Sequence, residues 1–218
     1  MTQFDVFDNV LNRVRKRPGM YFGSNSIKAF NSFWDGYVMA LSEYKIIEWE
    51  KEKFAADTPL PLWFFNEFAA KKFGYRESTA GWARIIADNV GDGNMESWNA
   101  FLDIFDEFAV LRIVGCKMAV LSDENIRFCN ERPVRVFRMR KGVFREGREY
   151  EFPERVFILT LTNGWEMVLV ECAESITAYM HFLDSGGAAA VIEELFGDVE
   201  GFSELDIEKL LCEKELLI

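Results

Sequence analysis

The stretch RVFILTLTNGWEMVLVE, residues 155–171, decides the fold. Two runs rich in Val, Ile, Leu and Phe flank Asn163 and Gly164, the dipeptide that most strongly favours a tight hairpin. Two adjacent antiparallel strands are therefore predicted. Working outward, VRVFRM (134–139) and VLRIV (110–114) carry the same β-rich signature, and Lys141 with Gly142 marks another turn. On the C-terminal side, SITAYMHFLD (175–184) and AAAVIEELFG (188–197) have helical spacing and are separated by Gly186 and Gly187. SELDIEKLLCEKELLI (203–218) is expected to close the chain as a helix. Ser203 and Asp206 give it a box-like start, and Leu205, Ile207, Leu210 and Leu211 form its apolar set.

Before residue 110 the period is helical. Phe4, Phe7, Val10, Leu11 and Val14 form one amphipathic stripe that Pro18 and Gly19 interrupt. Ser24 or Ser26 is expected to cap a second helix through Phe30, Trp34 and Leu41, reaching about Lys45 or beyond. LWFFNEFAAKKFG predicts a third, closed by Gly74, and Ser78 or Thr79 a cap for a fourth carrying Trp82, Ile85 and Ile86. After the break DNVGDGN, a fifth runs from Met95 to Phe108. The expected fold class is α+β: a helical domain, 1–109, packed against an antiparallel sheet with C-terminal helices, 110–218.

Composition narrows the chemistry. The 218 residues are 50% hydrophobic, 15% aromatic and 28% charged, an ordinary globular balance with ample bulk for a core. The four cysteines, Cys116, Cys129, Cys172 and Cys212, form no CxxC pair, which argues for reduced thiols rather than a zinc site or a secreted disulfide scaffold. One histidine cannot supply a two-histidine metal site or a His acid/base pair. The N-terminus shows no apolar h-region, and nowhere do eighteen apolar residues run together. A soluble cytoplasmic protein with no membrane contact, no cofactor and no metal is expected.

Net charge is −11, and it is concentrated. Residues 166–218 hold two lysines against thirteen acids, whereas residues 127–155 hold nine basic against five acidic residues. An acidic surface repels nucleic acid and favours basic partners. Glu193, Glu194, Asp198, Glu200, Glu204, Asp206 and Glu208 are accordingly the candidate partner-binding residues.

Other clusters admit simpler structural roles. Asp103, Asp106 and Glu107 share a helix face, as a divalent-cation site requires, but no EF-hand spacing surrounds them; a solvated face is expected. Glu77, Ser78 and Thr79 serve either as a polar binding cluster or as a helix cap, and capping is favoured. His181 has no GxSxG nucleophile motif and no orienting acid; a hydrogen-bonded structural histidine is expected. Arg132, Arg135, Arg138, Arg140, Arg145 and Arg148, interleaved with Phe137 and Phe144, match the pattern of single-strand nucleic-acid binders. Pairing with Glu146, Glu149 and Glu151 on the wet face of a strand pair is the plainer account.

Two resemblances follow from the N-terminal strings. VRKRPGMYFGS (14–24) is similar to the RPGMYIG segment of the ATPase subunits of type II DNA topoisomerases. The acidic Asn/Asp helix and DxGxG loop that follow it in those enzymes are replaced here by NSFWDGYVMAL and VGDGNM. Magnesium and phosphate would lack their ligands, so a helix-connecting core turn is expected, with Met20, Tyr21 and Phe22 as apolar anchors. RPGMY, DGY, GYRESTAGWA and DEF, in that order over residues 10–108, resemble bacterial immunity-type proteins associated with polymorphic and contact-dependent toxins. The resemblance implies a non-enzymatic antitoxin that binds a cognate protein toxin and occludes its active site. The alternative is a nucleic-acid- or nucleotide-binding module built on residues 132–148.

Overall fold

The computed structural model describes residues 2–44, 59–75, 80–125, 127, 153–172 and 175–205. The fold is α+β, and the chain divides into two compact units, 1–112 and 113–218.

The first unit is helical. α1 (Gln3–Val14) opens with a capping box in which Thr2 Oγ1 accepts from Asp5 N–H and Asp5 accepts from Thr2 N–H. α2 (Pro18–Phe22) has Pro18 at its first position, where a missing N–H costs nothing. α3 (Ile27–Glu43) is capped by Ser26, whose hydroxyl accepts from Ala29 N–H. Asp92 reinforces that start by accepting from Ile27 N–H at 2.6 Å and from the Ser26 hydroxyl at 2.8 Å. α4 (Phe64–Lys72), α5 (Trp82–Val90) and α6 (Met95–Ala109) complete the unit.

Its core is aromatic. Phe7 lies within 6.5 Å of the rings of Phe30, Trp34, Phe65, Trp82 and Phe105, mostly in tilted or edge-on geometry that the ring quadrupoles favour. Buried Trp98 donates its indole N–H to the Arg15 carbonyl at 3.0 Å, tying α6 to the end of α1 without leaving a polar atom stranded.

Several boundaries differ from expectation. α3 stops at Glu43, short of Lys45. α5 has Gly81 at its N-cap with no side-chain cap, and Ser78 and Thr79, expected to cap it, lie outside the described residues. The RPGMYFG segment is a core turn only in part: Pro18 is buried and Phe22 half-buried, but Met20 is 72% and Tyr21 56% exposed. A helical turn points successive side chains around its axis, so five residues cannot all face inward.

The second unit carries an antiparallel sheet of order β4-β3-β2-β1-β5: β1 (Ile113–Val120), β2 (Pro153–Leu161), β3 (Glu166–Cys172), β4 (Ser175–Leu183) and β5 (Ser203–Glu204). The hairpin expected at Asn163–Gly164 joins β2 to β3. Gly164 N–H donates to Leu161 O, Leu161 N–H donates to Trp165 O, and Gly164 takes φ 82°, which only glycine adopts without strain. α7 (Gly187–Phe196) covers one face of the sheet, burying Ala188, Ile192, Leu195 and Phe196 against Ala119, Val156, Val168 and Val170. The opposite face is buried too, through Cys116, Phe157, Leu159, Met167 and Leu169, so the two strands of the deciding hairpin are apolar on both sides.

Two expectations are overturned here. SITAYMHFLD is not a helix; it forms β4 and pairs along β3 from Cys172↔Ser175 to Glu166↔Leu183. Ser203 and Glu204 are likewise strand, pairing with Met118 and Lys117 at the β1 edge, and Leu205 N–H continues the ladder to Cys116 O. In both places an open sheet edge offers the backbone hydrogen-bond partners that a helix start lacks; the remainder of the expected closing helix, 206–218, lies outside the described residues.

Candidate functional site

The acid-bearing segment begins on α7. Its apolar side faces the sheet, so Glu193 and Glu194 fall on the outer side together with Ala189 and Ala190, and all four are exposed. α7 ends at Gly197, after which Asp198 and Glu200 are exposed in the loop. Glu204 lies on β5 opposite Lys117, with the two side chains 3.6 Å apart and the Glu204 side chain 75% exposed. Because Lys117 shares a sheet face with Ala119 and Ile158, Glu204 projects on the side that α7 covers. Five of the seven candidate acids are thus exposed along 193–204; Asp206 and Glu208 lie outside the described residues. Glu193, Asp198 and Glu200 form no ion pair among the described residues.

Two polar side chains, which sequence reasoning missed, hold this segment in place. Asn125, buried after β1, donates through Nδ2 to the carbonyls of Phe196 at 2.9 Å and Asp198 at 2.8 Å. Its Oδ1 accepts from the Ser122 N–H at 3.0 Å and the Ser122 hydroxyl at 2.7 Å. The amide therefore clamps the C-terminal end of α7 and the first loop acid to the turn that leaves β1. At the other end, the N-cap Gly186 has no side chain to offer, and Glu166 of β3 accepts from Ala188 N–H at 3.0 Å. A carboxylate there also suits the positive end of the helix. The S-x-x-N spacing of Ser122 and Asn125 was a readable local signal; the Glu166 contact spans 22 positions and had none.

Beside the β1 edge, Cys116 is buried, and burial first, then the nearby Glu204 carboxylate, pushes its thiol up to about 11. It is therefore a neutral, unreactive thiol near neutral pH. On the sheet face away from α7, Arg155 forms a two-pronged pair with the fully buried Glu171 directly across from it. Arg155 also lies over the Phe157 ring at 5.8 Å. Two registered strands thus hold a charge pair in place among apolar neighbours.

The remaining candidates separate. Asp106 is engaged by Arg15 and Glu107 by Lys72, so two of the three carboxylates of that face serve ion pairs between helices. Among the described residues no group of His, Cys, Asp and Glu is placed to hold a metal ion. His181 falls in β4. Glu77, Ser78, Thr79 and the Arg132–Arg148 region lie outside the described residues. No described helix is long and apolar enough to cross a membrane. No family model, curated protein or solved structure matches the chain.

Proposed function

We propose that this chain is a non-enzymatic immunity-type protein that neutralises a cognate bacterial toxin by binding it and occluding its active site. The observation that carries the reading is the exposed acidic array of Glu193, Glu194, Asp198, Glu200 and Glu204, anchored at its helical part by Glu166 and Asn125. An array fixed before encounter loses little side-chain and loop entropy on binding. Its charge suits a partner whose active-site groove is basic, as in enzymes that act on RNA or DNA, and speeds their encounter. The order of the RPGMY, DGY, GYRESTAGWA and DEF strings supports the same reading.

The test is co-expression with the toxin domain encoded by the neighbouring gene. Co-purification and loss of toxin activity at equimolar ratio are expected. Glu193→Lys with Glu194→Lys and Asp198→Lys should weaken the complex by at least about tenfold, in the range of charge pairs desolvated across an interface. Unchanged affinity would remove the electrostatic part of the reading, and absence of any complex would remove the whole.

A further inference from the structure

α3 carries two apolar stripes. Ile27, Phe30, Trp34 and Leu41 enter the aromatic core. A second set, Phe33, Gly36, Tyr37, Ala40 and Tyr44, follows at spacings of three, one, three and four, on an adjoining face, and every member is exposed. This face continues onto α2 as a ladder of rings. Tyr21 lies 6.2 Å from Phe22, Phe22 lies 5.3 Å from Phe33, and Phe33 stacks on Tyr37 at 5.8 Å with the planes 18° apart. Phe22 is in turn packed against Phe30 and Trp98, so the ladder is backed by the rigid core and its exposed end is held in one arrangement.

The fold itself does not require this exposure. Exposed Met20 and Tyr21 add unburied apolar area, and Gly36 is less favourable than Ala in a helix interior. Open space surrounds the position a Gly36 Cβ would take, so no neighbour within the fold calls for a glycine there. Tyr, Phe, Met and Arg together are the composition of a protein-binding surface.

The charges around the ladder choose the occupant. Arg13, Lys16 and Arg17, in the residues leading into α2, are exposed and form no ion pair among the described residues. Arg15, Lys28, Lys72 and Arg84, by contrast, all meet a carboxylate. Arg17 Nη1 lies 3.9 Å from the Met20 sulfur, which puts this cation at the α2 end of the ladder, with Lys16 and Arg13 one and four residues before it in the chain. Glu43 flanks the far end and adds a negative charge there. A nucleic-acid strand needs cations along its whole path; among the described residues this surface offers them at the α2 end only.

We infer that the α2–α3 face docks a polypeptide segment whose apolar side chains lie over Phe33, Tyr37 and the Gly36–Ala40 shelf. Acidic residues of that segment meet Arg13, Lys16 and Arg17. This face is built from other residues than the acidic array and does not depend on the toxin reading.

The experiment pans the full chain against a displayed library of random dodecapeptides, then measures selected synthetic peptides by fluorescence anisotropy. Selected sequences are expected to place Asp or Glu beside Leu, Phe, Trp or Met. Tyr21→Ser with Tyr37→Ser should lower their affinity by at least about tenfold, as anchor truncation does. Arg13→Glu with Lys16→Glu and Arg17→Glu should lower it similarly and flatten its dependence on salt. Unshifted thermal unfolding of both variants keeps misfolding from explaining the loss. The inference is overturned if selected peptides lack acidic residues or bind both variants as they bind the parent. It is also overturned if oligothymidylate or phosphatidylserine vesicles displace them through the same side chains, or if those substitutions alter only self-association in sedimentation.

Discussion

Asn125 uses all of its amide: two donors to the carbonyls after α7 and an oxygen shared by two groups of Ser122. Replacing only the NH2 with oxygen, Asn125→Asp, would set a buried carboxylate against two carbonyl oxygens. The expected loss of stability is about 3 kcal/mol, near the upper end for an unsatisfied buried polar group. Urea denaturation at neutral pH measures it, and a loss restored on acidification would identify the carboxylate charge as the cause. Cys116 carries a second prediction with a definite sign. Its thiol sits at about 11 in the fold against an ordinary 9.0, so the folded state holds the proton through that interval while the unfolded chain releases it. The contribution of Cys116 to stability is therefore fully present below pH 9.0 and falls as pH rises toward about 11. Cys116→Ala should lack this alkaline decline, read as a urea midpoint that changes less between those two pH values than that of the parent. In native protein at pH 8, iodoacetamide should also leave Cys116 unmodified while labelling it after unfolding, as peptide mapping would show.

At the scale of the element, what could be read from the sequence depended on whether the deciding interaction was local. α1, α4 and α6 follow their amphipathic spacing and end at readable caps such as Asn94, which accepts from Ser97 N–H, and Gly74 at φ 73°. The β2–β3 hairpin was equally local, since its turn chemistry lies between its strands. β4 was not. Ile176, Tyr179, Met180 and Leu183 have the three-one-three spacing of a helix, yet Ile, Thr, Tyr and Phe in the same stretch fit a pleated strand, and the free edge of β3 settles the contest. The same holds for Ser203 and Glu204, whose strand exists because β1 offers an edge. Of the candidate site, the acids were legible from composition, but their anchoring was not, because Glu166 reaches α7 only through the sheet. That anchor is testable. Glu166→Ala should cost about 1 kcal/mol, the usual range for losing a side-chain cap at a helix start. Amide hydrogen exchange should then speed up in the first turn of α7 and leave α1 unaffected.

For the whole molecule, the distribution of charge matters more than its sum. The imbalance of −11 arises within residues 166–218, while residues 1–114 carry thirteen basic against sixteen acidic groups. Charge so divided acts with different signs in different places: the acids on α7 and its loop attract cations, and Arg13, Lys16 and Arg17 attract anions. Both attractions act over a Debye length, about 30 Å at 0.01 M salt and ~8 Å at 0.15 M. For a toxin with a basic groove, the association rate should fall on the order of tenfold across that range, because steering raises encounter rates by such factors. The dissociation rate should change far less, since it is governed by contacts already formed. Stopped-flow mixing at several ionic strengths separates the two. Reversal of Glu193, Glu194 and Asp198 should flatten the association slope, whereas reversal of Arg13, Lys16 and Arg17 should steepen it by making the net charge more negative. A slope unaffected by both reversals would mean that encounter is governed by shape alone and that the segregated charge serves solubility.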